Sequence, residues 1–134
     1  THLPLSHLHS HREDISNAKI VSVDTNVSQE AILETLTIAE NVKWTIIEPI
    51  SAEKSKKLAY RNILSLLTIL KPNDDQFEDC FKIFSPLVPS SSSIKYSTKE
   101  EEFLLKSEII FNASEVISQK LGCKDKLKYI LITC

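Results

Sequence analysis

Short apolar runs of strand character alternate along the chain with stretches whose apolar residues recur at helical spacing. Residues 18–23 form a β-branched run that ends on Asp24-Thr25-Asn26; Ile32, Leu33, Leu36 and Ala39 then repeat at the helical period, with Ser28 as N-cap and Glu30 in the first turn. Residues 44–47 predict a buried strand ending on Glu48-Pro49, and Ser51 caps a helix running through Lys54, Leu58 and Ile63. A third strand over 67–70 ends on Lys71-Pro72-Asn73, where Asn73 is placed to cap a helix carrying Phe77, Cys80, Phe81 and Phe84. Pro86 to Ser97 reads as a loop. Thr98 and Glu101 form a capping box for a long helix with Phe103, Leu104, Ile109, Ile110, Ala113, Val116 and Ile117, which stops near Gly122. The run 129–133 is the last strand.

Strands that are apolar almost throughout, separated by helices, predict an α/β fold: a doubly wound, mainly parallel sheet with helices on both faces. Residues 1–17 contain all four histidines, at positions 2, 7, 9 and 11, with no clear period, and are expected to be a surface lead-in to a domain over 18–134. His7, His9 and His11 alternate as on a metal-binding strand, but no carboxylate or cysteine partner is evident, so a solvated segment is the simpler reading.

Right-handed crossovers bring the carboxyl ends of parallel strands to one edge, where ligands bind in open sheets. That makes Asp24, Asn26, Glu48, Lys71, Asn73 and Thr133 the residues from which a site would be built. Each also has a plainer role. Asp24 and Asn26 are turn formers, Glu48 and Lys54 are expected to form an ion pair with each other if they do not meet a ligand, and Asn73 with Asp74 and Asp75 makes an ordinary N-cap whose acids complement the helix dipole.

Composition removes several function classes. Charged residues are 25% of the chain and the net charge is −2 with both signs interspersed, which leaves no basic footprint for nucleic acid. No apolar run approaches the roughly 20 residues of a bilayer span. One glycine, Gly122, rules out a Walker A loop, a Gly-x-Gly-x-x-Gly loop or a nucleophile elbow within these residues. The three cysteines, Cys80, Cys123 and Cys134, are too scattered for a disulfide framework or a Cys-x-x-Cys site, so a reducing cytoplasm is the expected setting. With no methionine and a first residue Thr1, the chain reads as an internal piece of a longer protein.

The strand ends, taken in order, resemble the middle of the ribokinase-like (PfkB-type) carbohydrate and nucleoside kinases, which have a Rossmann-like core. Val21-Ser22-Val23-Asp24-Thr25-Asn26 resembles that family's strand ending in Asp-x-Asn. Glu48-Pro49-Ile50-Ser51 followed by Lys54 is similar to a turn of the branch that phosphorylates pseudouridine, including fungal pseudouridine-metabolising proteins. Leu70-Lys71-Pro72-Asn73-Asp74-Asp75-Gln76 sits where the family carries Asn-x-x-Glu, and Ile130-Leu131-Ile132-Thr133-Cys134 resembles the strand that runs into the nucleotide site. The resemblance covers roughly residues 18–134 and implies ATP and Mg²⁺ as cofactors and a small sugar or nucleoside as substrate. It places Asn73, Asp75, Gln76 and Thr133 at the nucleotide and metal, and Asp24, Asn26, Glu48 and Lys54 at the substrate.

Two departures set expectations for activity. Gln76 stands in place of the family's glutamate, removing a charge whose interaction at roughly 4 Å and an effective dielectric near 20 is worth about 4 kcal/mol at most. The family's Gly-Ala-Gly-Asp stretch, whose Asp takes the substrate proton, is not among these residues, so no catalytic base is assigned. A kinase piece phosphorylating a sugar or nucleoside hydroxyl, pseudouridine first, is thus set beside a non-catalytic module that binds a nucleotide weakly or a protein partner. A homodimer, or assembly with the remainder of a longer chain, fits either. A phospho-acceptor receiver domain shares the sheet and an acid at the position of Asp24, but lacks the acidic pair and the terminal lysine it needs.

Overall fold

The computed structural model describes residues 3–59, 61–73, 98, 100, 129 and 130. In chain order the elements are α1 (Leu5–Ser10), α2 (Arg12–Ser16), β1 (Ile20–Asp24), α3 (Gln29–Ile38), β2 (Trp44–Glu48), α4 (Ala52–Ser55), a 3₁₀ turn (Lys56–Ala59), α5 (Arg61–Ser65), β3 (Ile69–Leu70) and β4 (Tyr129–Ile130). The strands form one sheet in the order β1-β2-β3-β4, and every neighbouring pair is parallel. This is the α/β, Rossmann-like architecture that the alternating pattern predicts. The helices expected after Asn73 and after Thr98 lie outside the described residues, as do the loop between them and all three cysteines.

The register explains which residues build the core. Val23, Ile47 and Leu70 lie in one row across β1, β2 and β3, and Val21 lies beside Thr45. That face receives α3 and α5: Ile32, Leu36, Leu58, Ile63, Leu64 and Leu67 join Ile47 and Leu70 in a cluster whose members are all fully buried. Burial of each such side chain contributes about 1.5–3 kcal/mol. On the opposite face Ile20 is 57% exposed and Trp44, Ile46 and Ile69 are partly exposed. Two of the expected helix caps form: Ser28 Oγ accepts from Ala31 N at 3.2 Å, and Ser51 Oγ accepts from Lys54 N at 3.4 Å.

Residues 3–17 are mostly exposed, as a surface lead-in would be, but they are ordered into two short helices with apolar anchors. α1 and α2 pack on α3, with Leu8 buried against Ala31 and Ile38, and Ile15 against Val21, Ala39 and Val42. The polar pair Ser6-His7 between Leu5 and Leu8 hid the short apolar spacing. His7 and His9 lie in α1 and His11 in the turn between α1 and α2, so they are not strand-like: His9 Nε2 meets Glu34 Oε1 at 2.9 Å and His11 Nδ1 meets Asp14 Oδ2 at 3.1 Å. Among the described residues no group of three or more His, Cys, Asp or Glu is placed to hold a metal ion.

The expected single helix after Ser51 is broken into α4, the 3₁₀ turn and α5. The tighter turn sets Leu58 into the core while the neighbouring Lys57 reaches the loop after β1. Between β2 and β3, Thr45 and Thr68 tie the strands together from the inside. Thr45 N donates to Thr68 Oγ1 and Thr68 N to Thr45 Oγ1, both at 2.9 Å, and the two hydroxyl oxygens are 2.8 Å apart. Thr45 Oγ1 also donates to Leu66 O at 3.0 Å. Both threonines are buried, so stripping one hydroxyl leaves polar groups without solvent to replace it. Thr45→Val is expected to cost about 1–3 kcal/mol in urea unfolding. The Thr45→Val/Thr68→Val pair is expected to cost less than the sum of the singles, with a coupling of about 0.5–3 kcal/mol in the double-mutant cycle.

Candidate functional site

The carboxyl edge of the sheet gathers charged and amide side chains that lie far apart in the sequence. β1 and β2 end together, Asp24 opposite Glu48, and Lys71 follows directly on β3. Beyond β1 the chain turns sharply: Asn26 N donates to Asp24 Oδ1 at 2.8 Å and Asn26 Nδ2 to Asp24 Oδ2 at 3.2 Å. An aspartate that hydrogen-bonds the backbone two residues on is the reason this residue type suits such a turn.

The segment after β2 holds that turn from a second side. Thr25 is fully buried, and its Oγ1 accepts from Ile50 N at 2.9 Å, while Thr25 N donates to Glu48 O at 3.3 Å. Lys54 Nζ donates to Asn26 Oδ1 at 2.5 Å. Lys57 Nζ donates to the carbonyls of Thr25 and Val27 at 2.8 and 2.7 Å. Glu48 and Lys54 therefore do not pair with each other, contrary to the expectation from sequence. Glu48 Oε1 meets Lys71 Nζ at 2.8 Å instead, because parallel pairing of Ile47 with Leu70 carries Glu48 and Lys71 out of the sheet side by side.

The remaining hydrogen-bonding capacity defines what this edge can do. An ammonium has three donors, and Lys54 uses one on Asn26 among the described residues. An ionised carboxylate has about four acceptor positions, of which Asp24 gives two to Asn26. Asn26, by contrast, has its Oδ1 and one Nδ2 donor engaged. A charged acceptor and a charged donor joined through Asn26, both half-buried, suit a ligand whose hydroxyls donate to one and accept from the other.

Of the residues expected at the substrate, Asp24, Asn26 and Lys54 form one connected network, and Glu48 stands at the neighbouring strand end with Lys71. Of those expected at the nucleotide, Asn73 is half-buried just past β3, whereas Asp75, Gln76 and Thr133 lie outside the described residues. Sequence reasoning missed Thr25 and Lys57. Thr25 carried a signal, being the middle of Asp24-Thr25-Asn26 between two site candidates, but Lys57 carried none beyond its spacing of three from Lys54.

A parallel α/β sheet with a polar carboxyl edge is the class of protein that this arrangement defines. No protein-family model matches the chain, and no curated protein matches it. Among solved structures, the crystal structure of a candidate sugar kinase from Clostridium perfringens is similar over 98% of this chain, with a TM-score of 0.60 and 18% sequence identity. The chain spans 33% of that protein's length. At that identity the likeness is one of fold.

Proposed function

We propose that the chain is part of an ATP- and Mg²⁺-dependent kinase of the ribokinase-like type that phosphorylates a hydroxyl of a sugar or nucleoside, with pseudouridine the first candidate. The observation that carries this reading is the joined set Asp24, Asn26 and Lys54 at the carboxyl edge, in the strand order in which such a kinase carries its substrate residues. The fold likeness to a candidate sugar kinase supports it. In this reading Asp24 accepts from a substrate hydroxyl, Lys54 donates to its neighbour, and Asn26 fixes both side chains relative to each other. The residues assigned to the metal nucleotide, Asn73, Asp75, Gln76 and Thr133, offer hard oxygen donors of the kind Mg²⁺ and its water shell accept. Bound Mg-ATP would supply the phosphoryl group and neutralise the charge on it.

One sequence fact favours a second reading for these residues taken alone. With one glycine they hold no Gly-Ala-Gly-Asp stretch and so no base, which favours a non-catalytic module that binds a nucleotide weakly or a protein partner. Incubating the purified chain with Mg-ATP and a panel of pseudouridine, uridine, adenosine and ribose, with mass-spectrometric detection of the phosphorylated product, separates the two. Product from, or saturable binding of, pseudouridine or ribose supports the kinase; nucleotide binding with no binding of pseudouridine or ribose supports the module; binding of neither nucleotide nor sugar defeats the kinase reading.

A further inference from the structure

Lys57 lies outside every motif in the sequence, yet its ammonium donates to two backbone carbonyls of the 25–27 turn. It reaches them across 32 and 30 positions of sequence, from the 3₁₀ turn that interrupts the helical crossover between β2 and β3. The two carbonyls flank Asn26, so they converge on one point and would repel each other without a cation between them. The half-buried ammonium fills that point with two of its three donors. Its effect passes to the site through short links: with carbonyls 25 and 27 fixed, Asn26 keeps its bonds to both Asp24 oxygens and offers Oδ1 to Lys54.

We propose that Lys57 is the positioning residue of this edge: it locks the turn after β1 so that Asp24 and Lys54 are held at a fixed spacing before a ligand arrives. The role rests on reading the edge as a ligand site, but its structural half is independent of which ligand binds. Lys54 and Lys57 thereby divide the work. Lys54 hydrogen-bonds the side-chain network, whereas the hydrogen bonds of Lys57 among the described residues go to backbone carbonyls, and its charge also acts on the Glu30 carboxylate. Preorganisation of this kind raises affinity by removing the ordering cost from the binding step.

The test compares Lys57→Met, which keeps the length without donors, with Lys57→Arg, which keeps charge and donors, and with Lys56→Met as a control. Lys56 is exposed and pairs with Glu53. Amide hydrogen exchange in the full chain reads Asn26 N, bonded to Asp24, and Ile50 N, bonded to Thr25, against Lys71 N, bonded to Ile47 O in the sheet. Loss of hydrogen bonds to a charged group is expected to speed exchange at Asn26 and Ile50 by about tenfold or more in Lys57→Met. Lys71 N, the Lys56→Met control and Lys57→Arg are expected to stay at wild-type rates. Unchanged exchange at Asn26 and Ile50 in Lys57→Met overturns the proposal, and so does equal acceleration at all three amides, which is general destabilisation. If Lys57→Met does not fold, Lys57→Gln, which keeps a neutral donor, is read by the same pattern. Calorimetric titration with pseudouridine and ribose is run beside it: weaker binding by Lys57→Met restored in Lys57→Arg supports the role in the site. Absence of binding by the wild-type chain counts against the functional reading, while the exchange rates still decide the positioning role.

Discussion

Ile47→Ala is expected to lower stability by about 2–5 kcal/mol, the range for removing a large aliphatic side chain from a packed core. Ile47 is fully buried at the centre of the row Val23, Ile47, Leu70 and packs in the cluster with Ile32 and Leu36 of α3 and Ile63 and Leu64 of α5. The cavity it leaves is bounded by two helices and three strands, so it cannot collapse by moving one element. Against a total of about 5–15 kcal/mol for a natural domain, this is a large fraction. It also acts on the site, because Glu48 is the next residue and Lys71 N bonds to Ile47 O at 2.9 Å. Urea unfolding checks it: the midpoint should fall with little change in slope. Ile20→Ala, on the opposite face at 57% exposure, is expected to stay within about 0.5 kcal/mol of wild type. Equal effects of the two changes would contradict the assignment of faces.

The second large effect is functional. Asp24→Ala removes the acceptor of both Asn26 bonds and the charged acceptor offered to a ligand hydroxyl. A hydrogen bond to a charged group is worth about 1.5–3 kcal/mol, so under the proposed function affinity for pseudouridine should fall on the order of tenfold to a hundredfold. Asp24→Asn keeps an oxygen for Asn26 N while removing the charge, and so separates the turn from the ligand. The two variants should bind about equally weakly if the charge itself meets the ligand. If Asp24 only shapes the turn, Asp24→Asn should bind like wild type. Calorimetric titration of both variants makes the distinction.

What could be read from the sequence was local. The β-branched runs at 18–23 and 44–47 fell on β1 and β2 within a residue or two, and Ser28 and Ser51 cap the helices they precede, because each signal lies within four residues of what it controls. The histidine-rich start hid two short helices, since Leu5, Leu8 and Ile15 are too few to show a period until α3 is present to receive them. The break at Lys56–Ala59 has no proline or glycine to announce it. Its cause is tertiary: Leu58 is drawn into the core while Lys57 is drawn to carbonyls on another crossover.

The site follows the same division. Asp24, Asn26, Glu48 and Lys54 stand out as polar residues just past apolar runs, and the parallel sheet brings their strands to one edge. Which of them touch was beyond local reasoning. The pairing of Glu48 with Lys71 needs the β2–β3 register, and the bond from Lys54 to Asn26 needs the turn of α4. Register is set by which face is buried, so the Glu48–Lys71 contact follows once Ile47 and Leu70 are known to share a row.

If a sugar or nucleoside binds at this edge, as proposed, amide chemical-shift mapping during titration with pseudouridine will show it. Saturable shifts are expected at Asn26, Ile50, Lys54 and Lys71, with the buried amides of Ile32 and Leu36 in α3 unmoved. Saturable shifts that cluster on α1 and α2, or no shift at any concentration for pseudouridine and ribose alike, would contradict it.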